Sequence, residues 1–63
     1  MQLKILTANA AAEKAGVSRR QLYYLVEQQK FPHQIQISDR RVGWLESEVD
    51  RWVIEKVQAR DRG

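Results

Sequence analysis

Residues 8–30 constrain this chain more than any other stretch. Ala8, Ala11, Ala12 and Ala15 recur at the spacing of a single helix face. Gly16 follows at once, and glycine takes the left-handed conformation that closes a helix at little steric cost. A second helix is then signposted. Ser18 and Gln21 stand at the spacing of a capping box, and Val17 and Leu22 at that of a hydrophobic staple. The segment therefore reads as two short helices joined by a tight turn, with arginines opening the second. The alanines let the first helix approach its neighbour closely but supply little apolar area, so it is expected to be the least anchored element. Thr7 is placed to cap it through its hydroxyl.

On the second helix Leu22, Leu25, Val26 and Gln29 share a mostly apolar face. Arg20 and Tyr24 lie nearly opposite, with Arg19 and Tyr23 on one flank and Gln21 on the other. The helix is expected to end near Lys30, because Pro32 pushes Phe31 toward extended geometry. Beyond Pro32 the period changes to two. Ile35 and Ile37 alternate with polar residues, as do Val42 and Trp44. Ser38-Asp39-Arg40-Arg41 between them reads as a turn, giving a β-hairpin of two half-buried strands with a charged tip. Leu3–Leu6 reads as a short first strand. A last helix is expected from about Glu46 to Arg60, with Leu45, Val49, Trp52, Val53 and Val57 as its apolar stripe. Its acidic start and basic end match the helix dipole. Arg60–Gly63 read as a frayed end. The order is β-α-α-β-β-α, an α+β winged helix-turn-helix plan, and 63 residues give room for one domain, 1–63.

Composition narrows the chemistry. There is no cysteine and one histidine, so neither a thiolate metal site, a disulfide framework nor a cysteine nucleophile is available. No nucleophile–base pair is apparent, and the chain does not read as an enzyme. No cofactor is implied. The small core leaves little room for a deep cleft. No apolar run approaches the roughly 20 residues of a membrane span, and Met1–Leu6 is too short for the apolar part of a signal peptide. A cytoplasmic, nucleoid-associated protein is expected. The formal charge of +3 on so small a body, with a pI near 9.7, favours a polyanionic partner.

Double-stranded DNA fits the residue types on the second helix. Arginine can fork onto guanine O6 and N7, and glutamine onto adenine N6 and N7. The candidate contacts are Ser18, Arg19, Arg20, Gln21, Tyr23 and Tyr24, with Lys30 at the far end and Arg40 and Arg41 on the hairpin tip. Two arginines at a helix start oppose its dipole, so helix stability does not explain them. Two residues carry rival duties. Gln21 can turn back to cap Ser18, and Tyr23 borders the apolar face. Asp39 offers Arg40 and Arg41 a local partner, the plainer account of a charged turn. Trp44 and Trp52 lie on apolar stripes and read as core residues rather than stacking platforms for bases.

Gly16-Val17-Ser18-Arg19, Leu22-Tyr23-Tyr24-Leu25, Phe31-Pro32, Arg40-Arg41-Val42-Gly43-Trp44 and Glu48-Val49-Asp50-Arg51-Trp52 occur in that order. The set resembles the AlpA family of phage and genomic-island regulators, itself similar to small excisionases, from Thr7 to Trp52. The chain departs from that pattern in Gln29, where the family often has glycine, in Gln34, where it often has proline, and in the smaller Ala11 and the Lys14 of the first helix. The resemblance implies a small winged helix-turn-helix of the MerR and excisionase kind. Its second helix would enter the major groove and its wing would lie on the backbone or minor groove. The implied role is that of an excisionase, or recombination directionality factor: copies side by side on DNA, working with an integrase to remove a mobile element. The alternative is transcriptional control of an integrase or phage gene with the same fold.

Overall fold

The computed structural model describes residues 3–62. Strand β1 (Ile5–Leu6) leads into helix α1 (Ala8–Ala15) and helix α2 (Arg19–Glu27). The hairpin of β2 (Ile35–Ser38) and β3 (Arg41–Leu45) follows, and helix α3 (Glu46–Arg62) begins on the next residue. The sheet has the order β1-β3-β2, antiparallel throughout. Of the expected Leu3–Leu6 strand, Ile5 and Leu6 are extended and paired, opposite Leu45 and Trp44.

The helix ends follow from local hydrogen bonding. Thr7 Oγ1 accepts from the Ala10 N–H at 3.1 Å, and Ser18 Oγ from the Gln21 N–H at 3.0 Å. Gly16, at φ 77°, closes α1. Its N–H donates to Glu13 O and the Val17 N–H to Ala12 O, the paired bonds of a Schellman turn. The end of α2 has the same wiring with a different residue. The Gln29 N–H donates to Val26 O at 3.0 Å and the Lys30 N–H to Leu25 O at 2.8 Å. Gln29 itself sits at φ 59°, the one non-glycine among the described residues with positive φ. So α2 stops at Glu27, three residues before Lys30. The left-handed turn ends it ahead of the proline. A left-handed side-chain-bearing residue costs roughly 1–2 kcal/mol, partly offset by glycine's greater unfolded entropy. Gln29→Gly is therefore expected to stabilise the fold by about 0.5–1 kcal/mol, read as a rise in the thermal unfolding midpoint.

The core comprises Leu6, Ala8, Ala11, Ala12, Leu22, Val26, Phe31, Trp44 and Val49. The small alanines make α1 the hub, packed on α2, α3, β1 and β3. It is not the least anchored element, because short side chains let several neighbours approach it at once. Lys14 adds a polar tie. Its Nζ lies 2.9 Å from Asp50 Oδ1 and 3.2 Å from Glu46 Oε2, joining the end of α1 to the start of α3. Hydrogen bonds to Asp50 and then Glu46 raise the Lys14 pKa above its ordinary 10.5.

Trp44 is fully buried, and its indole N–H donates to Pro32 O at 2.9 Å. The Trp52 indole N–H donates to Lys30 O at 2.7 Å, and its ring meets Phe31 edge-on at 5.0 Å. Both tryptophans belong to the packed body, and together they pin the connector between α2 and β2.

Two expected burials fail. β2 is exposed along its whole length, with Ile37 48% exposed. The helices pack on β3, and β2 hangs beyond them at the sheet edge as a wing. Val57, together with Ile54, is also exposed. The 17 residues of α3 span about 25 Å, and from Ile54 onward every described residue of the helix is exposed. The helix continues through Arg60 to Arg62 instead of fraying at Arg60, while Gly63 lies outside the described residues.

Gly43 marks a close approach. A Cβ there would collide with Ile5 Cγ2 and lie 3.0 Å from Leu6 O. Gly43→Ala is expected to destabilise by about 1–2 kcal/mol, because strand β1 must shift; a chemical denaturation curve measures it. The assembly is a small α+β winged helix-turn-helix in the expected β-α-α-β-β-α order.

Candidate nucleic-acid interface

Helix α2 divides sharply into two faces. Leu22 and Val26 are buried, while Ser18, Arg19, Arg20, Gln21 and Tyr24 are exposed. The division follows from the sequence: Leu22, Leu25 and Val26 anchor one side, and the other carries only polar or amphipathic groups. Tyr24 is 53% exposed and Tyr23 37%. Tyr23 is thus exposed too, though less so than Tyr24. One side of its ring meets Trp44 edge-on at 5.9 Å, and the Arg19 guanidinium carbon stands 5.8 Å from its centroid.

The hydrogen bonding releases Gln21. Ser18 Oγ caps the Gln21 backbone N–H. Among the described residues no bond returns from the Gln21 side chain to Ser18, so only half of the capping box forms and the amide is left for other partners. The first turn of α2 holds no acidic residue. Its positive dipole end is thus unopposed, and two arginines add to it.

The hairpin supplies a second basic group. Asp39 and Arg40 form the tip, and Arg41 opens β3 opposite Ser38. The ladder shifts register between Gln36 and Ser38, a bulge that twists the hairpin end. Arg40 and Arg41 are exposed. Among the described residues only Lys14 and Arg60 pair with a carboxylate. Asp39 thus neutralises neither arginine of the tip, and Arg19 and Arg20 carry unpaired charge.

Lys30 stands apart from this group. It follows the turn that closes α2 and lines an open groove of about 360 Å³ with Phe31, Trp52 and Lys56. The structure therefore places Ser18, Arg19, Arg20, Gln21, Tyr23 and Tyr24 along the N-cap and first two turns of α2, sets Arg40 and Arg41 at the tip of the wing, and leaves Lys30 beyond the other helix end. The Arg19–Tyr23 contact was not anticipated from the residues, although their i, i+4 spacing permits it. Among the described residues no helix is long and apolar enough to cross a membrane.

The family model described as "Prophage CP4-57 regulatory protein (AlpA)" matches residues 4–57, from just before β1 well into α3. The chain is also 32% identical over 62 residues to a protein of Enterobacteria phage P4 called uncharacterized protein ORF88, an alignment covering 98% of this chain and 70% of that one. No solved structure gives a significant match. With the motifs in order, the fold in place and the family model spanning all but the chain's ends, this chain belongs to the AlpA family of prophage regulatory proteins.

Proposed function

We propose that this protein binds double-stranded DNA sequence-specifically, with α2 in the major groove and the β2–β3 wing against the backbone or minor groove. The observation that carries this reading is the outward face of α2: Arg19, Arg20, Gln21 and Tyr24 exposed together from a capped helix start, with no carboxylate partner for either arginine among the described residues. Arg20 and Gln21 read base edges in this account. Arg19, Ser18 and the first-turn N–H groups hold phosphates beside them, and Tyr24 contacts a phosphate or a thymine methyl. Arg40, Arg41 and Lys30 add sequence-independent contacts.

Its work is architectural. Several copies on neighbouring sites bend DNA near an attachment site, and the bend brings the arms of an integrase together. The protein acts as an excisionase, or recombination directionality factor, in the cytoplasm at the nucleoid, and performs no catalysis. A second reading, transcriptional control of an integrase or phage gene, draws support from the regulatory description of the family.

Binding to a labelled duplex over a salt series tests the first claim. With roughly four to six phosphates engaged, the log–log slope is expected near −4 to −5. Binding that is flat with salt contradicts it. An excision assay in cells run beside a promoter reporter separates the two roles. Deletion that abolishes excision supports the architectural role, and deletion that changes only the reporter favours the transcriptional one.

A further inference from the structure

Arg19 is exposed, opens α2 and has no ion-pair partner among the described residues. A free arginine carries about 2 kcal/mol of rotamer entropy that binding must remove. The structure shows how this chain limits that cost. Trp44 is fully buried and fixed by its bond to Pro32 O. The Tyr23 ring rests on Trp44 at an interplanar angle of 69°, and the Arg19 guanidinium lies beside the Tyr23 ring. A buried core residue thus backs one side of a largely exposed ring, and that ring lies against a charge at the surface.

We infer that Tyr23 is a positioning residue: it holds the Arg19 guanidinium ready for DNA and does not itself read the duplex. The inference rests on the DNA-binding reading above. A cation–π contact uses the face of the ring and leaves the N–H edges of the guanidinium available to a phosphate or a guanine. The aromatic ring is therefore the part of Tyr23 that matters, and its hydroxyl is dispensable. Tyr24, one residue on, has no aromatic ring behind it among the described residues and remains a direct contact in this reading.

The test measures affinity for a labelled duplex carrying the sequence that the parent protein enriches from a randomised pool. The variants are Arg19→Ala, Tyr23→Phe, Tyr23→Leu and the double variant Arg19→Ala with Tyr23→Leu, each checked by thermal unfolding. Tyr23→Phe is expected to bind like the parent. Tyr23→Leu is expected to bind about fivefold more weakly, the scale of an exposed cation–π contact. Arg19→Ala is expected to bind about tenfold more weakly, and to cost no more than about twofold further once Leu occupies position 23. A pentafluorinated ring in place of Tyr23 keeps the shape against Trp44 while reversing the charge on its face. It is expected to match the Leu variant, which keeps the test decisive should Leu disturb the fold. Equal losses for Phe and Leu would assign the hydroxyl to DNA and overturn the inference. So would losses at positions 19 and 23 that simply multiply. A parent protein that enriches no sequence and binds no duplex overturns the DNA reading itself, an outcome distinct from both.

Discussion

Trp44→Ala is expected to leave most of the chain unfolded at 25 °C. The side chain is fully buried at the centre of a core drawn from β1, all three helices and the connector before the wing. Truncating a buried tryptophan costs about 3–5 kcal/mol. A core in a domain this small rarely supplies more than about 3–5 kcal/mol of net stability, so the loss and the reserve are of equal size. Two further effects point the same way. Pro32 O loses its indole donor, and Tyr23 loses the ring it rests on. Far-UV circular dichroism on heating measures the outcome: a shallow or absent transition for Ala. Trp44→Phe, which keeps an aromatic ring but not the N–H, should show a cooperative transition at a lower midpoint. A cooperative Ala melt near the parent midpoint would show that Trp44 is not the centre of the packing.

Arg20→Ala is expected to weaken binding to the preferred sequence by about 1–3 kcal/mol and to relax base preference at one position, with little effect on unrelated sequence. Arg20 is exposed in the first turn of α2 with no carboxylate nearby to hold it among the described residues. Removing it costs the fold little, so the change in affinity reports the contact. Arg41 supplies the contrast. It sits at the start of β3 on the wing, where a contact to phosphate carries no sequence information. Arg41→Ala should weaken binding to all duplexes alike and make the salt slope shallower by about one. Selection from a randomised pool, repeated with each variant, separates the two. Equal loss on every duplex for Arg20→Ala would make it a backbone contact.

What could be read from the residues was local. Thr7, Gly16 and Ser18 bond to backbone within four or five positions, so spacing alone reveals their roles. The alternation around Ile35, Ile37, Val42 and Trp44 revealed a hairpin for the same reason. It could not reveal what lies on top of each strand. Trp44 points into helices that are distant in sequence, while Ile37 points into solvent, although the pattern treats them alike. The end of α2 was misplaced because Gln29 adopts a conformation that its own side chain disfavours. The flanking carbonyls of Lys30 and Pro32 are held by Trp52 and Trp44, long-range bonds that no local rule contains. Lys14 pairs with Glu46 and Asp50, a tie visible only once α1 and α3 are seen side by side. The interface arginines and glutamine were legible as residue types on an outward face. That Tyr23, and not Tyr24, meets Trp44 is a contact between distant parts of the chain that spacing does not show.

Titrating a duplex into isotopically labelled protein, and following backbone amide resonances, locates the surface that meets DNA. The largest shifts are expected on Ser18–Tyr24 and on Arg40 and Arg41, with the sheet face around Ile5 and Ile35 and the exposed turn around Ile54 unmoved. Shifts concentrated on those aliphatic surfaces, with Arg19 and Arg20 silent, would contradict that placement.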